Sequence, residues 1–420
     1  MSHAQKPGLC PQGSLKEILH GWKQDVSAPL KVNGFVMFLW KCLLGGILVT
    51  GQVALGIGLI NRLHGLPWSH AFLGRLRQLL AAGFLLLLLA TFIQLKQLPI
   101  SPSGFVNWNE LPFTAWIPIG LSLWGQLLML GALLRHWTWR LPSQVLETRE
   151  QILDVTAELG YRPAGPGPFS RLLQVPGNQQ FQLALEEKTL RLDRLPAPLD
   201  GLSLLHVSDW HFSGPVGREY FDFVASRVSA WPVDLVCFTG DLIDDLRLLD
   251  WVDSSLNTLQ GRLGRYFILG NHDRENDADL ARACLTERGW IDLAGQSHLL
   301  IEQACRIAIA GDEWPWMGRH PEFPDQADLR LLLSHSPDNI RYAQSQQVDL
   351  MLSGHNHGGQ VRIPGAGPIL SPSCSGSRYA SGIFWEPPTL LHVSRGLAGM
   401  HPLRLNCRPE VTRLILRSPK

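Results

Sequence analysis

Five short polar clusters, each closing or following an apolar run in the C-terminal half, constrain this chain more than any other feature. They read Asp209-Trp210-His211, Gly240-Asp241-Leu242-Ile243-Asp244, Gly270-Asn271-His272-Asp273, Ser334-His335-Ser336-Pro337 and Gly354-His355-Asn356-His357-Gly358-Gly359. The apolar runs at 202–207, 233–238, 266–269, 307–310, 329–333 and 348–352 are short and partly β-branched, as strands buried on both faces are. Helix-like stretches at 218–230 and 246–259 separate some of them. Alternating strand and helix predicts an α/β fold whose functional groups gather at the carboxyl ends of the strands.

The residue types in the clusters point to a two-metal centre. Two divalent ions about 3.5–4 Å apart need an anionic bridge against their mutual repulsion, and Asp241 is the candidate. Imidazoles suit first-row transition metals, while carboxylates and the Asn carbonyl suit harder ions, so the mixture argues against calcium or a structural zinc. His355 and His357, two residues apart, share a face on an extended segment and diverge on a helix. Gly354, Gly358 and Gly359 around them suit a tight loop. Any one cluster recurs by chance in many chains; packing alone gives no reason for all of them in this order. His206, His298, His320 and His392 are read as satisfied core residues.

In these motifs, residues 200–420 resemble the calcineurin-like metallophosphoesterase superfamily, with its pattern D-x-H, G-D-x-x-D, G-N-H-D/E, a lone His, and G-H-x-H. Gln360 after the glycines, Arg378-Tyr379-Ala380-Ser381-Gly382 and Ser394-Arg395-Gly396-Leu397 are similar to a membrane-associated branch with a G-H-x-H-G-G-Q ending. The resemblance implies an α/β/β/α sandwich and two divalent ions, Mn, Fe or Zn, with manganese preferred for assay. One ion would take Asp209, His211, Asp241 and His357; the other would take Asp241, Asn271, His335 and His355. A hydroxide between the ions would attack phosphorus in line, with His272 protonating the leaving oxygen and Asp244 orienting its ring. Asp245-Leu246 stand where the protein Ser/Thr phosphatases carry Arg-Gly, which counts against a phosphoprotein substrate. Trp210 is expected to pack under the site rather than line it, and Asp273 to shape the loop. Asp312 and Glu313 either reach the site or sit on a solvated loop, and Arg378 is a candidate phosphate contact.

The first 140 residues are far more apolar than the rest of a chain that is 45% hydrophobic overall. Segments 35–60, 78–95 and 113–134 are each long enough, at roughly 20 residues, to cross a ~30 Å hydrocarbon core. Lys41 sits near the start of the first, where it can snorkel. Pro118 in the third either kinks it or marks where the chain enters the bilayer. Trp108, Trp116, Trp137 and Trp139 bracket the third segment as interfacial aromatics do. Gly46, Thr50, Ala54 and Gly58 put small side chains on one face of the first, which either favours close helix packing or reflects membrane-helix composition. The polar stretch 1–33 shows no signal peptide.

The expected organisation is a polar segment at 1–33, a membrane region at 34–140, a helix and linker at 141–177 and a catalytic domain at 178–420. Ser143 is expected to cap a helix running to about 159, with 163–168 a stiff turn and 181–192 a strand. Three spans place the termini on opposite sides. Arg62, Arg75, Arg77, Arg135 and Arg140 on one side face Lys16, Lys23, Lys31 and Lys96 on the other, a narrow margin for the positive-inside rule. Cys237, Cys284, Cys305, Cys374 and Cys407 lack a disulfide-like spacing, which favours a cytoplasmic catalytic domain. Net charge +1 gives no nucleic-acid surface. The reading is a multi-pass, membrane-anchored dinuclear phosphodiesterase or pyrophosphohydrolase acting on a lipid-linked or membrane-proximal phosphoester. Some members of the resembled group cleave a UDP-linked diacylglucosamine at its pyrophosphate. The alternative is a catalytically silent metal-binding scaffold at the membrane, from which Asp241, His272 or Asp244 would be expected to be lost.

Overall fold

Apolar runs too long for strands and uninterrupted by acidic residues become three helices in the computed structural model of the protein, which describes residues 34–100 and 106–419. They are α1 (Gly34–His64), α2 (His70–Lys96) and α3 (Trp116–Thr138). All three are long and apolar enough to cross a membrane. The polar segment 1–33, with Lys16, Lys23 and Lys31, lies outside the described residues. The chain divides into two compact units, Met1–Val53 with Ala82–Gln126, and Ala54–Ala81 with Leu127–Lys420.

In the first unit, large side chains such as Phe35, Leu43, Leu85 and Leu86 stand exposed, as lipid-facing positions do. The Gln52 side-chain amide donates to Thr91 Oγ1 at 2.7 Å, a polar tie between α1 and α2. The close helix approach uses Gly51, where a Cβ would lie 2.1 Å from the Ser122 carbonyl oxygen, and not Gly46, where it would meet nothing within 4 Å.

The second unit carries two sheets. The first has the order β1-β2-β15-β3-β4-β5-β6, built from β1 (Val145–Asp154), β2 (Gln182–Arg191), β3 (Ser203–Val207), β4 (Leu235–Thr239), β5 (Gly264–Ile268), β6 (Ile291–Asp292) and β15 (Glu410–Arg417). The second has the order β13-β14-β10-β9-β8-β7, from β7 (Ser297–Glu302), β8 (Cys305–Asp312), β9 (Leu329–Ser334), β10 (Leu350–Ser353), β13 (Gly382–Glu386) and β14 (Thr389–Val393). Between them in sequence, β11 (Arg362–Ile363) and β12 (Gly367–Pro368) form a two-stranded ribbon. The strands β3-β4-β5 and β8-β9-β10 are parallel within their sheets.

Alternation along each central strand builds a layered core. Leu204, Leu235, Ile307, Leu331 and Leu352 fill the space between the sheets. The intervening Leu205, Val236 and Phe238 point the other way, onto α4 (Arg218–Val228), whose buried Tyr220, Phe221, Val224, Ala225 and Val228 recur at helical spacing. Across the second sheet, Leu332 and Met351 meet Ile340 and Ala343 of a short helix. The result is the α/β/β/α sandwich.

Two local expectations are corrected. Residues 143–154 are not helical: Val145–Asp154 is the edge strand β1, paired antiparallel with β2 from Val145↔Leu190 to Asp154↔Gln182. Most of its side chains are exposed on both faces, so it lacks the alternation that marks a half-buried strand. Helix is confined to Val155–Leu159, capped by Asp154 Oδ1 accepting from Ala157 N at 3.1 Å. The stretch 246–259 breaks into three one-turn pieces, where Ser254 Oγ donates to Asp222 Oδ1 and Ser255 Oγ to the Trp251 carbonyl, side chains competing with the helical pattern.

Candidate metal centre

The five clusters lie at the carboxyl ends of β3, β4, β5, β9 and β10 and converge between the two sheets. Ligand-type atoms of Asp209, His211, Asp241 and His357 lie within 4.8 Å of one another, as do those of Asp241, His335 and His355. Asn271 lines the same cavity as Asp241, His355 and His357, and its Oδ1 is buried without a hydrogen-bond partner. All seven predicted ligand residues are thus brought together, with Asp241 common to both groups. Bringing them in takes unusual backbone: Asp209, His211, Asp241, His355 and His357 all have φ between 47° and 69°. Non-glycine residues seldom occupy that region, and it collects at functional sites.

Hydrogen bonds fix which ring nitrogens face inward. His335 Nδ1 lies 2.6 Å from the Thr239 carbonyl oxygen, which can only accept, so Nδ1 donates and Nε2 is the nitrogen turned to the site. That Nε2 is 3.2 Å from Asp241 Oδ2. His211 Nδ1 donates to Asp244 Oδ2 at 3.0 Å, leaving its Nε2 3.3 Å from the same Asp241 oxygen. His355 Nε2 donates to the Pro372 carbonyl at 2.6 Å, which leaves Nδ1 as its ligand atom. Two ring nitrogens aimed at one buried carboxylate oxygen require positive charge, a proton or a cation, among them. Four inward atoms, His211 Nε2, His335 Nε2, Asp241 Oδ2 and Asn271 Oδ1, are buried without a hydrogen-bond partner, and His357 turns its Nε2 to Asp209 Oδ1 at 3.7 Å. This donor set of imidazole nitrogens and carboxylate or amide oxygens fits divalent first-row ions.

Electrostatics say the same. Burial works against a charge on His335, but Asp241 outweighs it and raises its pKa to about 9. Burial, then His335, push His355 down to about 3, so that imidazole is neutral and able to ligate. Burial disfavours an ionised Asp241, yet His335 and His272 hold its carboxyl well below the usual range.

Around the ligands a supporting shell is visible. Asp244 accepts from two rings at once, His272 Nδ1 at 2.6 Å through Oδ1 and His211 Nδ1 through Oδ2. The sequence reading gave Asp244 only the first of these roles. Asp273 shapes the loop, accepting from the backbone N–H groups of Leu242, Ile243 and Gly270. Trp210 is buried and stacked on Phe221 at 5.7 Å beneath the site. Asp312 and Glu313 are neither ligands nor solvated. Asp312 pairs with His320, and Glu313 takes a forked contact from Arg282 and accepts from Leu269 N, steadying the strand end before Gly270. Arg378 pairs with Glu386 at 2.7 Å and does not line the cavity of the metal-type residues. His206 and His392 are buried as expected, but within a directed polar chain. Lys188 Nζ faces His392 Nε2 at 3.4 Å, His392 and His206 share a 2.7 Å contact between their Nδ1 atoms, and His206 Nε2 meets Thr239 Oγ1. Thr239 then donates to Ser208, which hydrogen-bonds Asp209. Carbonyls such as those of Thr239 and Pro372 carry no side-chain signal, so only the fold reveals them.

Comparison with known proteins agrees with this geometry. The family model for the calcineurin-like phosphoesterase domain matches residues 202–359. The chain is 31% identical over 221 residues to Phosphodiesterase YaeI of Escherichia coli (strain K12), covering 51% of this chain and 81% of that one. It is 29% identical over 301 residues to the Bos taurus "Transmembrane protein with metallophosphoesterase domain", covering 63% and 65%. Over 291 residues it is 26% identical to the UDP-2,3-diacylglucosamine pyrophosphatase LpxG of Chlamydia muridarum (strain MoPn / Nigg), covering 53% and 87%. A two-sheet sandwich with a carboxylate shared by two ligand groups defines a metallohydrolase class. The chain belongs to the calcineurin-like phosphoesterase family and is a phosphoester hydrolase.

Proposed function

We propose that the protein is a multi-pass, membrane-anchored phosphodiesterase or pyrophosphohydrolase that works with two divalent cations on a lipid-linked or membrane-proximal phosphoester. The observation that carries this reading is the convergence of Asp209, His211, Asn271, His335, His355 and His357 on Asp241, with the inward atoms of His211, Asp241, Asn271 and His335 otherwise unpartnered. Asp209, His211, Asp241 and His357 would hold one cation, and Asp241, Asn271, His335 and His355 the other. When bound, the pair supplies a hydroxide nucleophile at neutral pH and neutralises charge on the phosphate oxygens.

The chain's own part is to orient and to move a proton. Asp244 holds the His272 ring by its Nδ1–H, so a proton on Nε2 is delivered to the leaving oxygen as the bond from phosphorus to that oxygen breaks. The backbone N–H of His272 donates to Asp241 Oδ1 at 2.9 Å, tying the acid to the shared carboxylate. Water is consumed, one phosphorus–oxygen bond forms, one breaks, and the alcohol or phosphate leaves protonated. Substrate class is supported by the spans and by relatives described as a phosphodiesterase and a UDP-2,3-diacylglucosamine pyrophosphatase. Arg62, Arg75, Arg77, Arg135 and Arg140, in the same unit as the catalytic sandwich, support a cytoplasmic catalytic domain.

Hydrolysis of bis(4-nitrophenyl) phosphate and of the matching monoester by the manganese-loaded full-length protein tests the reading. Diester turnover that requires metal and exceeds monoester turnover is expected; metal-independent turnover, or a strong monoester preference, would refute it.

A further inference from the structure

The metal site is not walled by the catalytic sandwich alone. Asp241, Asn271, His272, His355 and His357 share their cavity with Leu66, Trp68 and Leu73, from the turn between α1 and α2 and the first residues of α2. That turn belongs to the same unit as the sandwich, and polar ties hold it there. Asn61, buried near the end of α1, donates from Nδ2 to the Ile369 carbonyl at 2.9 Å and accepts from Ser371 N at 3.1 Å. A Cβ on Gly65 would lie 2.5 Å from Cys374 N, so the turn and the 369–374 loop are in backbone contact. The same loop is bound to the site from the other side. Pro372 accepts from His355, and Asp338, three residues beyond His335, accepts from Ser373 Oγ, Cys374 N and Ser375 N.

Chemistry then restricts what fits. The cavity, about 90 Å³ in volume, is lined on one side by the metal-type residues and on another by apolar side chains. A group esterified to a phosphate at the metal-type residues would lie beside Leu66, Trp68, Leu73 and Trp316, which line the same cavity. Trp68, with 41% of its surface exposed, meets Phe72 edge-on at 5.2 Å. Both ends of this wall run directly into apolar spans, and Trp at such a position is an interfacial side chain.

We propose that the turn between the first two membrane helices is the specificity wall of the metal site, and that it selects phosphodiesters or pyrophosphates carrying an aliphatic chain held in the bilayer. This rests on the phosphoesterase reading above and adds the residues that choose the substrate. In nanodiscs with manganese, kcat/KM is measured for soluble bis(4-nitrophenyl) phosphate and for a diacylglycerol 4-nitrophenyl phosphodiester embedded in the disc. The ratio of lipid to soluble substrate should favour lipid in the wild type. It should fall about tenfold or more in the double variant Leu66→Ser/Trp68→Ser, with bound manganese unchanged, and recover in Trp68→Phe. A ratio unchanged by the double variant would overturn the inference while leaving the enzyme intact. So would equal loss on both substrates with metal retained, which would make the turn a mere support. Turnover of neither substrate, or turnover indifferent to Asp241→Asn, would sink the phosphoesterase reading and the inference with it.

Discussion

Replacing Asp244 with asparagine should damage two steps through one atom pair. Its carboxylate accepts from His272 Nδ1 at 2.6 Å and from His211 Nδ1 at 3.0 Å. Burial opposes its ionisation, but His211 and His272 hold it ionised below the ordinary carboxylate range. An amide offers one acceptor oxygen and one N–H₂, so it can receive only one of the two ring protons. The ring facing the N–H₂ must move or shift its proton to Nε2. On His211 that places a proton where a metal should bind, and loss of such an outer support typically costs 10–100-fold in metal affinity. On His272 it removes a charge-assisted hydrogen bond of about 1.5–3 kcal/mol, roughly 10- to 150-fold in rate when a poor leaving group needs the proton. The assay pairs metal titration with two diesters, one with a nitrophenoxide and one with an alkoxide leaving group. A larger loss on the alkoxide substrate marks the acid's role, and weakened metal binding marks the role of His211. If Asp244→Asn bound metal normally and lost the same modest factor on both substrates, the bridging role derived from these distances would be wrong.

Gly270→Ala tests the site by volume alone. The new methyl would lie 2.1 Å from Asp241 Oδ1 and 2.7 Å from His335 Nε2, so manganese affinity, read by calorimetry, should fall by at least about tenfold. Trp210→Ala removes a buried ring packed on Phe212 and Phe221 and should lower stability by about 3–5 kcal/mol, seen as a lower denaturation midpoint. The third prediction concerns acid. Burial, reinforced by Lys188, pushes His206 down to about 3. The folded state therefore refuses a proton that the unfolded chain takes near pH 6.5, and stability present above that pH is lost as pH falls towards 3. For His206 alone this amounts to about 2 kcal/mol between pH 8 and pH 5. Thermal midpoints of metal-free protein should drop accordingly, and less steeply in His206→Gln.

The ligands were legible because each is a side chain whose chemistry needs no fold to be recognised, placed after an apolar run that reads as a buried strand. Asp209, His211, Asp241, Asn271, His335, His355 and His357 are all of this kind. What the sequence hid was whatever depends on a partner far along the chain. Edge strand β1 has exposed side chains at most positions, so only its pairing with β2 distinguishes it from a solvated helix. Glu313 looked like a loop residue until Arg282, 31 positions earlier, closed on it. The wall at Leu66 and Trp68 was unreadable for the same reason, since its relevance comes from loop 369–374, some 300 residues away.

The most direct test of the dinuclear account is to count metal and rate together. Metal-free full-length protein is titrated with manganese while bound ions per chain and hydrolysis of bis(4-nitrophenyl) phosphate are followed, beside Asp241→Asn. The account predicts activity that tracks filling to two ions per chain, and a variant that loses both the second ion and turnover. Full activity at one ion, or an Asp241→Asn protein with two ions and wild-type rate, would contradict it.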